Sequence, residues 1–188
     1  MFKVDFVTTN KGKARELIEL GRMYGVEVNV IYSSKVEIQD VDLKTVALHA
    51  ALNAMAQLGK PIAVEDSGLF IKALNGFPGP FSSYVYKTLG INGILKLMSD
   101  VDRREAVFKS VIAYADPGVG IHVFEGEVRG TISYRARGKG GFGFDPIFIP
   151  VNSSKTFAEM NVNEKNRVSH RSKAFKLFVD WLQKSFKT

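Results

Sequence analysis

Residues 2–31, FKVDFVTTNKGKARELIELGRMYGVEVNVI, contain the pattern that indicates the fold class. The apolar run at 2–8 predicts a buried strand, and the apolar residues of 13–24 recur at helical spacing. The alternating stretch 26–31 predicts a second strand. A strand, a helix and a strand in this order are typical of an α/β layer with parallel pairing.

The same alternation continues along the first third of the chain. Asp42 is a suitable N-cap for a helix over 43–58, which has one face of small apolar residues. A short buried strand is predicted at 61–65. These elements extend the opening to βαβαβ.

The second half of the chain has a different pattern. The stretch 75–83 is rich in Gly and Pro and predicts a rigid loop, followed by a helix near 91–99. Two long antiparallel strands are predicted at 106–116 and 119–130, and a final helix at 170–186. We therefore expect a single α/β domain over the whole chain. Its elongated mixed sheet would be flanked by helices and form two lobes around a central cleft.

Composition excludes several classes of protein. The chain of 188 residues has no cysteine, which excludes disulfides, thiolate catalysis and Cys-based metal sites. It has no run of 18 apolar residues and no apolar signal core, so we expect a cytoplasmic protein without a membrane partner. The net charge of +7 favours anionic partners, but the basic residues are scattered, and we expect phosphorylated small molecules rather than nucleic acid.

The first candidate site lies between the first strand and the first helix. Backbone N–H groups and the positive end of a helix dipole favour phosphate at such a junction, and two lysines add donors. The spacing is not that of a Walker A loop, and an ordinary N-cap on a surface helix is the alternative interpretation. The candidate phosphate ligands are Thr8, Thr9, Asn10, Lys11, Gly12 and Lys13.

The second candidate site is the acidic pair at the end of the strand 61–65. Glu65 and Asp66 are followed by Ser67, and carboxylates at the end of a strand in an α/β sheet suit Mg²⁺. Glu37 or Asp40 can add a further carboxylate at the same edge. The alternative is that 66–68 is only a turn, because Asp, Ser and Gly favour turns.

The third candidate site is the glycine-rich stretch 138–146, GKGGFGFDP. It matches G-x-G-x-x-G by spacing, but an apolar strand rather than a helix follows, which argues against dinucleotide binding. Phe142 is the better candidate for stacking on a nucleobase, whereas Phe144 is expected in the core. Gly143 provides a hinge beside these rings, and Asp145 can orient a polar group.

The fourth candidate site opens the last helix. Ser169 is a suitable N-cap, and His170 and Arg171 follow it directly. Together with Lys165, these donors can recognise the carbonyl edge of a purine. The alternative for His170 is a buried structural histidine.

Taken together and in this order, the four stretches resemble the inosine triphosphate pyrophosphatase family, which hydrolyses non-canonical purine nucleotides. The similar blocks are TTNKGKARE, VEDSGLFIKALNGFPGPFSSYV, GKGGFGFDPIF and SHRSKAF, and they span residues 8–175. Thr9 departs from the family pattern, because many members have glycine there, so the dihedral angles of the loop can differ.

The resemblance implies Mg²⁺-dependent hydrolysis of ITP, dITP and XTP to the nucleoside monophosphate and pyrophosphate, usually by a homodimer. It implies that Glu37 and Asp66 hold Mg²⁺ or activate water. We assign the activation of the water to Asp66, with Glu37 and Glu65 as alternatives. The substrate-binding residues that it implies are Thr8 to Lys13, Ser67, Phe142, Gly143, Phe144, Asp145, Lys165, His170 and Arg171.

Two alternative functions remain at this point. One is a nucleotide pyrophosphatase of similar fold that acts on a modified pyrimidine. The other is a basic nucleic-acid-binding module without catalysis, which predicts a steep salt dependence and no pyrophosphate release.

Overall fold

The computed structural model describes residues 2–34 and 38–186, which form seven strands and six α-helices. The strands are β1 (Phe2–Val7), β2 (Val26–Ile31), β3 (Ile62–Ile71), β4 (Pro78–Gly79), β5 (Glu105–Asp116), β6 (Gly120–Ile132) and β7 (Phe148–Pro150). The helices are α1 (Lys11–Tyr24), α2 (Leu43–Leu58), α3 (Ser82–Thr88), α4 (Gly90–Leu97), α5 (Val162–Val168) and α6 (His170–Ser185).

One mixed sheet runs through the molecule in the order β2-β1-β3-β5-β6-β7, with β4 paired to β3. The first three strands are parallel, and β3, β5, β6 and β7 pair antiparallel. The prediction of an α/β fold with an elongated mixed sheet is therefore confirmed.

Helices cover both faces of the first half of the sheet. Because side chains alternate along a strand, Ala63 packs beneath α1 and α6, and its neighbours Ile62 and Val64 pack against α2. A separate cluster around Phe108 and Phe148 fills the second half. The candidate site residues of β3 and β5 lie between these cores.

The helix boundaries follow local signals. Asn10 caps α1 and Asp42 caps α2 through their side chains, and Gly25 and Gly59 end these helices in the left-handed conformation. Across residues 2–34 and 38–186, every helix is too short or too polar to span a bilayer.

Three sequence predictions need correction. The strand predicted at 61–65 continues to Ile71, because β3 pairs with β5 along its whole length, so residues 66–68 are strand and not a turn. The loop predicted at 75–83 contains β4 and the start of α3. The short helix α5 was absent from the prediction, because it is too short to show a clear period.

Candidate active site

The cleft forms where β1 ends and β3 continues. The last pair between these strands joins Val7 to Val64, and β4 takes over the same edge of β3 only from Leu69. Residues 65–68 therefore have no strand partner on that edge. The loop that leaves β1 passes in front of this gap, as expected for a ligand crevice at the carboxyl ends of parallel strands.

A cavity of about 380 Å³ occupies this position. It brings together residues from all four stretches that the sequence singled out, although up to 163 positions separate them, from Thr8 to Arg171. The predicted residues that line it are Thr8, Thr9, Asn10, Lys13, Asp66, Ser67, Phe142, Gly143, Phe144, Asp145, Lys165, His170 and Arg171.

A buried carboxylate on α1 organises one side of the cavity. Glu16 accepts a 2.7 Å hydrogen bond from Lys165 Nζ through Oε1, and its Oε2 pairs with Arg171. Burial by itself would raise the pKa of Glu16, but Arg171 and Lys165 outweigh this effect and lower it. Glu16 is therefore ionised and holds two cations side by side.

Glu65 has the same role from the sheet. Its carboxylate is 3.1 Å from Lys13 Nζ and 3.2 Å from Arg171 Nε, and Ser110 Oγ donates a 2.6 Å hydrogen bond to it. Burial would raise the pKa of Glu65, but Arg171, Lys13 and the Ser110 hydrogen bond hold it well below its usual range. Glu65 is 2% exposed and does not line the cavity, which makes it a positioning group.

Asp66 differs from Glu65 in its accessibility. Its Oδ1 is 3.3 Å from Lys13 Nζ, and within the described part of the chain its Oδ2 accepts no hydrogen bond. The side chain lines the cavity and keeps 13% of its surface exposed. Asp66 is therefore the carboxylate that a water, a metal ion or a substrate can reach.

The loop that follows β6 carries an aromatic wall. Asp145 Oδ2 accepts hydrogen bonds from Phe142 N (2.8 Å) and from Lys165 Nζ (2.6 Å), which ties the loop to α5. The Phe142 ring lies 5.0 Å from Lys165 Nζ and 5.4 Å from the guanidinium carbon of Arg171. Phe144 is 3% exposed, and its place in the core confirms the prediction for that residue.

His170 is fully buried at the start of α6, where Ser169 is the N-cap as predicted. Its ring stacks on Phe108 with centroids 4.7 Å apart and an angle of 8° between the planes. Burial, followed by the nearby charge of Arg171, lowers the pKa of His170 well below 6.5. The imidazole is therefore neutral at pH 7, and no described residue bonds its Nδ1.

Two predicted site residues do not line this cavity, and a third lies outside the described residues. Lys11 is exposed on the first turn of α1. Gly12 packs against Phe142 instead, since a Cβ atom at Gly12 would lie 2.4 Å from the Phe142 ring. Glu37, predicted as a metal ligand, lies outside the described residues.

Asn10 is the N-cap of α1, so the alternative interpretation of this loop as a helix cap is correct, and Asn10 also lines the cavity. Asn10 Oδ1 accepts from Gly12 N (2.9 Å) and Lys13 N (3.1 Å), so the loop is both a helix cap and a wall of the cavity. Thr9 does not adopt a positive φ, which explains why the loop accepts a residue other than glycine there.

Sequence reasoning missed several residues of the site. Glu16 and Ser110 bind the cations and carboxylates behind the cavity, and Phe108, Tyr86 and Lys87 line it. A signal was available only for Glu16, because this charged residue occupies the apolar face of α1 next to Leu17. The others give no signal until the strands are paired.

Comparison with known proteins agrees with this geometry. A sequence model of the Ham1 family matches residues 4–181. The chain belongs to the Ham1 family. The family resemblance inferred from the four blocks is thereby confirmed.

Curated relatives of this Ham1 chain are similar over nearly their whole length. A dITP/XTP pyrophosphatase of Hyperthermus butylicus is 53% identical over 94% of this chain and 92% of that protein. A dITP/XTP pyrophosphatase of Methanopyrus kandleri is 48% identical over 95% of both chains. Among solved structures, a HAM1 protein from Coxiella burnetii superposes with a TM-score of 0.84 at 31% identity, covering 98% of this chain and 100% of that one.

Proposed function

We propose that this Ham1 protein hydrolyses dITP, ITP and XTP between the α and β phosphates, giving the nucleoside monophosphate and pyrophosphate. This reaction would keep deaminated purines out of DNA and RNA. The observation that carries the proposal is the single cavity that combines a phosphate loop, an accessible carboxylate and a purine-sized aromatic and cationic wall. The names of the relatives, dITP/XTP pyrophosphatase, support the same reaction.

The base would lie against Phe142, next to the donors Lys165, Arg171 and His170. Hypoxanthine and xanthine have a carbonyl at C6, which accepts hydrogen bonds, whereas adenine has an amino group. Guanine shares the C6 carbonyl, so its rejection must rest on its extra 2-amino group. A buried pocket of donors leaves those donors unpaired when adenine enters, and such sites discriminate by about 10⁴-fold. His170, whose imidazole is neutral, lines the same cavity, and no described residue bonds its buried Nδ1.

The triphosphate would extend from the base toward the loop 8–13. Thr8, Asn10 and Lys13 line the cavity there, close to the N-terminus of α1, whose dipole favours phosphate. Catalysis of phosphoryl transfer depends mainly on positioning and on neutralising charge. Asp66, with its free Oδ2, would orient the attacking water and accept its proton.

A divalent cation fits this site by its charge. Four carboxylates (Glu16, Glu65, Asp66 and Asp145) face three cations (Lys13, Lys165 and Arg171), which is a formal charge of −1 when all are ionised. Burial raises the pKa of Asp145, so −1 is the most negative charge that the network carries. Residues 2–34 and 38–186 contain no group of three or more metal-binding side chains. Mg²⁺ is commonly held by one or two carboxylates together with substrate phosphates and waters, so Asp66 is a sufficient protein ligand. When bound, the ion would supply Lewis-acid polarisation of the phosphates.

A homodimer is also part of this proposal. Phe77, Phe81, Tyr84 and Leu89 lie close in sequence, and each is more than a third exposed. This exposure favours a contact surface at the loop 75–83 and the start of α3, because clustered exposed apolar residues mark interaction sites. Replacement of Tyr84 by Glu should convert a dimer to a monomer in size-exclusion chromatography with light scattering.

The proposal is tested by pyrophosphate release from dITP, ITP, XTP, ATP, GTP and a modified pyrimidine triphosphate, each with Mg²⁺ and with EDTA. We expect fast release from the first three only, abolished by EDTA and reduced by Asp66→Asn. Asp180→Asn, which changes an acidic residue on the surface of α6, is the matched control and should keep full activity. Equal rates on all the purines would refute the base pocket, and no release from any would refute the function.

A further inference from the structure

Four cationic side chains of the described residues line the cavity: Lys13, Lys87, Lys165 and Arg171. Three of them are already neutralised, because Lys13 pairs with Glu65 and Asp66, and Lys165 and Arg171 share Glu16. Within residues 2–34 and 38–186, no carboxylate forms an ion pair with Lys87. Among the described residues, Lys87 therefore provides positive charge that no carboxylate cancels.

The helix that carries Lys87 is fixed to the catalytic strand. Ser82 Oγ accepts a 2.8 Å hydrogen bond from Leu69 N of β3 and donates a 2.7 Å hydrogen bond to Gly79 O of β4. Val85 is 4% exposed and packs in the core of the second half of the sheet. These contacts hold α3 in a fixed position relative to residues 65–68 of β3.

Tyr86, which follows Val85, joins α3 to the opposite wall of the cavity through an aromatic contact. The Tyr86 ring meets Phe144 edge to face, with centroids 5.5 Å apart. The helix therefore spans the cleft between β3 and the loop of 138–146. Lys87 follows directly and lies at the rim rather than in the interior, where it stays exposed.

Lys87 also lies where two cavities meet. A second groove of about 750 Å³ runs along α3 past Gln39 and Asp40. It shares Asp66, Ser83 and Lys87 with the nucleotide cavity, together with Pro80. A chain of phosphates that passes Asp66 on its way out of the first cavity therefore arrives beside Lys87.

We propose that Lys87 binds the terminal phosphates of the substrate, and therefore the leaving pyrophosphate. This inference rests on the proposed function and adds a residue that the sequence blocks did not indicate. A nucleoside triphosphate bears about four negative charges, whereas the buried cations Lys13, Lys165 and Arg171 are already paired with carboxylates. Together with Mg²⁺, a cation outside that network would attract the β and γ phosphates, and Lys87 is the cavity-lining side chain that can supply it.

The test compares Lys87→Met and Lys87→Arg with Lys96→Met, which removes an exposed lysine from α4, outside both cavities. Four quantities are measured for each protein: kcat and KM for dITP with Mg²⁺, and the calorimetric affinities for inorganic pyrophosphate and for IMP. A charge-assisted hydrogen bond to phosphate corresponds to about a tenfold change or more. We expect Lys87→Met to raise KM for dITP and to weaken the affinity for pyrophosphate, each by about tenfold. Its affinity for IMP should stay within twofold of the wild-type value. Lys87→Arg should restore most of the loss, and Lys96→Met should match the wild type.

Unchanged pyrophosphate affinity in Lys87→Met, or an equal loss for IMP, would overturn the inference. Measurements on the wild-type protein distinguish failure of the Lys87 role from failure of the proposed function. If it releases no pyrophosphate from dITP, the proposed function fails, while the binding of inorganic pyrophosphate still tests Lys87 directly. If it hydrolyses dITP and Lys87→Met behaves as the wild type, only the role of Lys87 fails.

Discussion

Glu16 and Lys165, which are 149 positions apart, form a 2.7 Å hydrogen bond behind the nucleotide cavity. The second oxygen of the same carboxylate pairs with Arg171, so one residue of α1 holds a cation from α5 and another from α6. All three side chains are more than nine-tenths buried. The first helix therefore positions Lys165 and Arg171, which line the cavity, as well as the loop that precedes it.

Replacing Glu16 by Ala should lower the free energy of unfolding by about 3–5 kcal/mol, because it leaves two buried cations without their shared partner. The measurement is urea denaturation followed by circular dichroism. Glu19→Ala on the same helix removes only a surface pair with Arg22 and should cost no more than about 1 kcal/mol. Equal losses for the two variants would contradict the buried role of Glu16.

Replacing Phe142 by Ala should raise KM for dITP by about 5- to 160-fold, because stacking of a base on an aromatic ring contributes about 1–3 kcal/mol. Phe142→Tyr keeps the ring and should stay near the wild-type value. Steady-state kinetics on both variants provide the check. If Phe142→Ala left KM unchanged, the base would bind elsewhere in the cavity.

Gly12→Ala should disturb the Phe142 ring from α1, against which the ring packs. The added Cβ would lie 2.4 Å from Phe142 Cδ1, so the ring must move, and KM should rise. In a Phe142→Ala background the clash is absent, and Gly12→Ala should have little further effect on KM. The interaction energy of this double-mutant cycle is the measurement, and additive effects would show that Gly12 acts through the phosphate loop instead.

His170 should make stability depend on pH. Its pKa in the folded protein is lower than the unfolded value of 6.5, so the unfolded chain binds more protons below that pH. Its contribution is complete above pH 6.5 and is lost as the pH falls. The wild type should lose stability between pH 7.5 and pH 5.5 from this group, by at most about 1.4 kcal/mol, the limit set by the unfolded pKa of 6.5.

Urea denaturation at the two pH values measures this loss. His170→Phe, which keeps a ring against Phe108, should remove most of the pH dependence, and the exposed His49→Gln should preserve it. An unchanged pH dependence in His170→Phe would assign the titration to another group.

The first half of the fold was predictable because its signals are local. The bounds of β2 and α2 agree with the prediction to the residue, since alternation, helical spacing and the cap at Asp42 each act within a few positions. The prediction for β3 failed at Glu65, where polar and turn-favouring residues begin. Pairing with β5 continues the strand through these polar residues to Ile71. A short stretch of sequence does not predict such pairing, because the partner strand lies far away in the chain.

The sequence by itself determined the fold class, the family and the four stretches that supply the site, because each depends on short-range spacing or on residue type. The tertiary structure alone decided which carboxylate is accessible, since Glu65 and Asp66 are adjacent but only Asp66 opens to the cavity. It also decided that Glu16 joins Lys165 and Arg171, and that Lys87 stays unpaired among the described residues. These roles depend on burial and on distances between groups far apart in the chain, which exist only after the sheet and helices have packed.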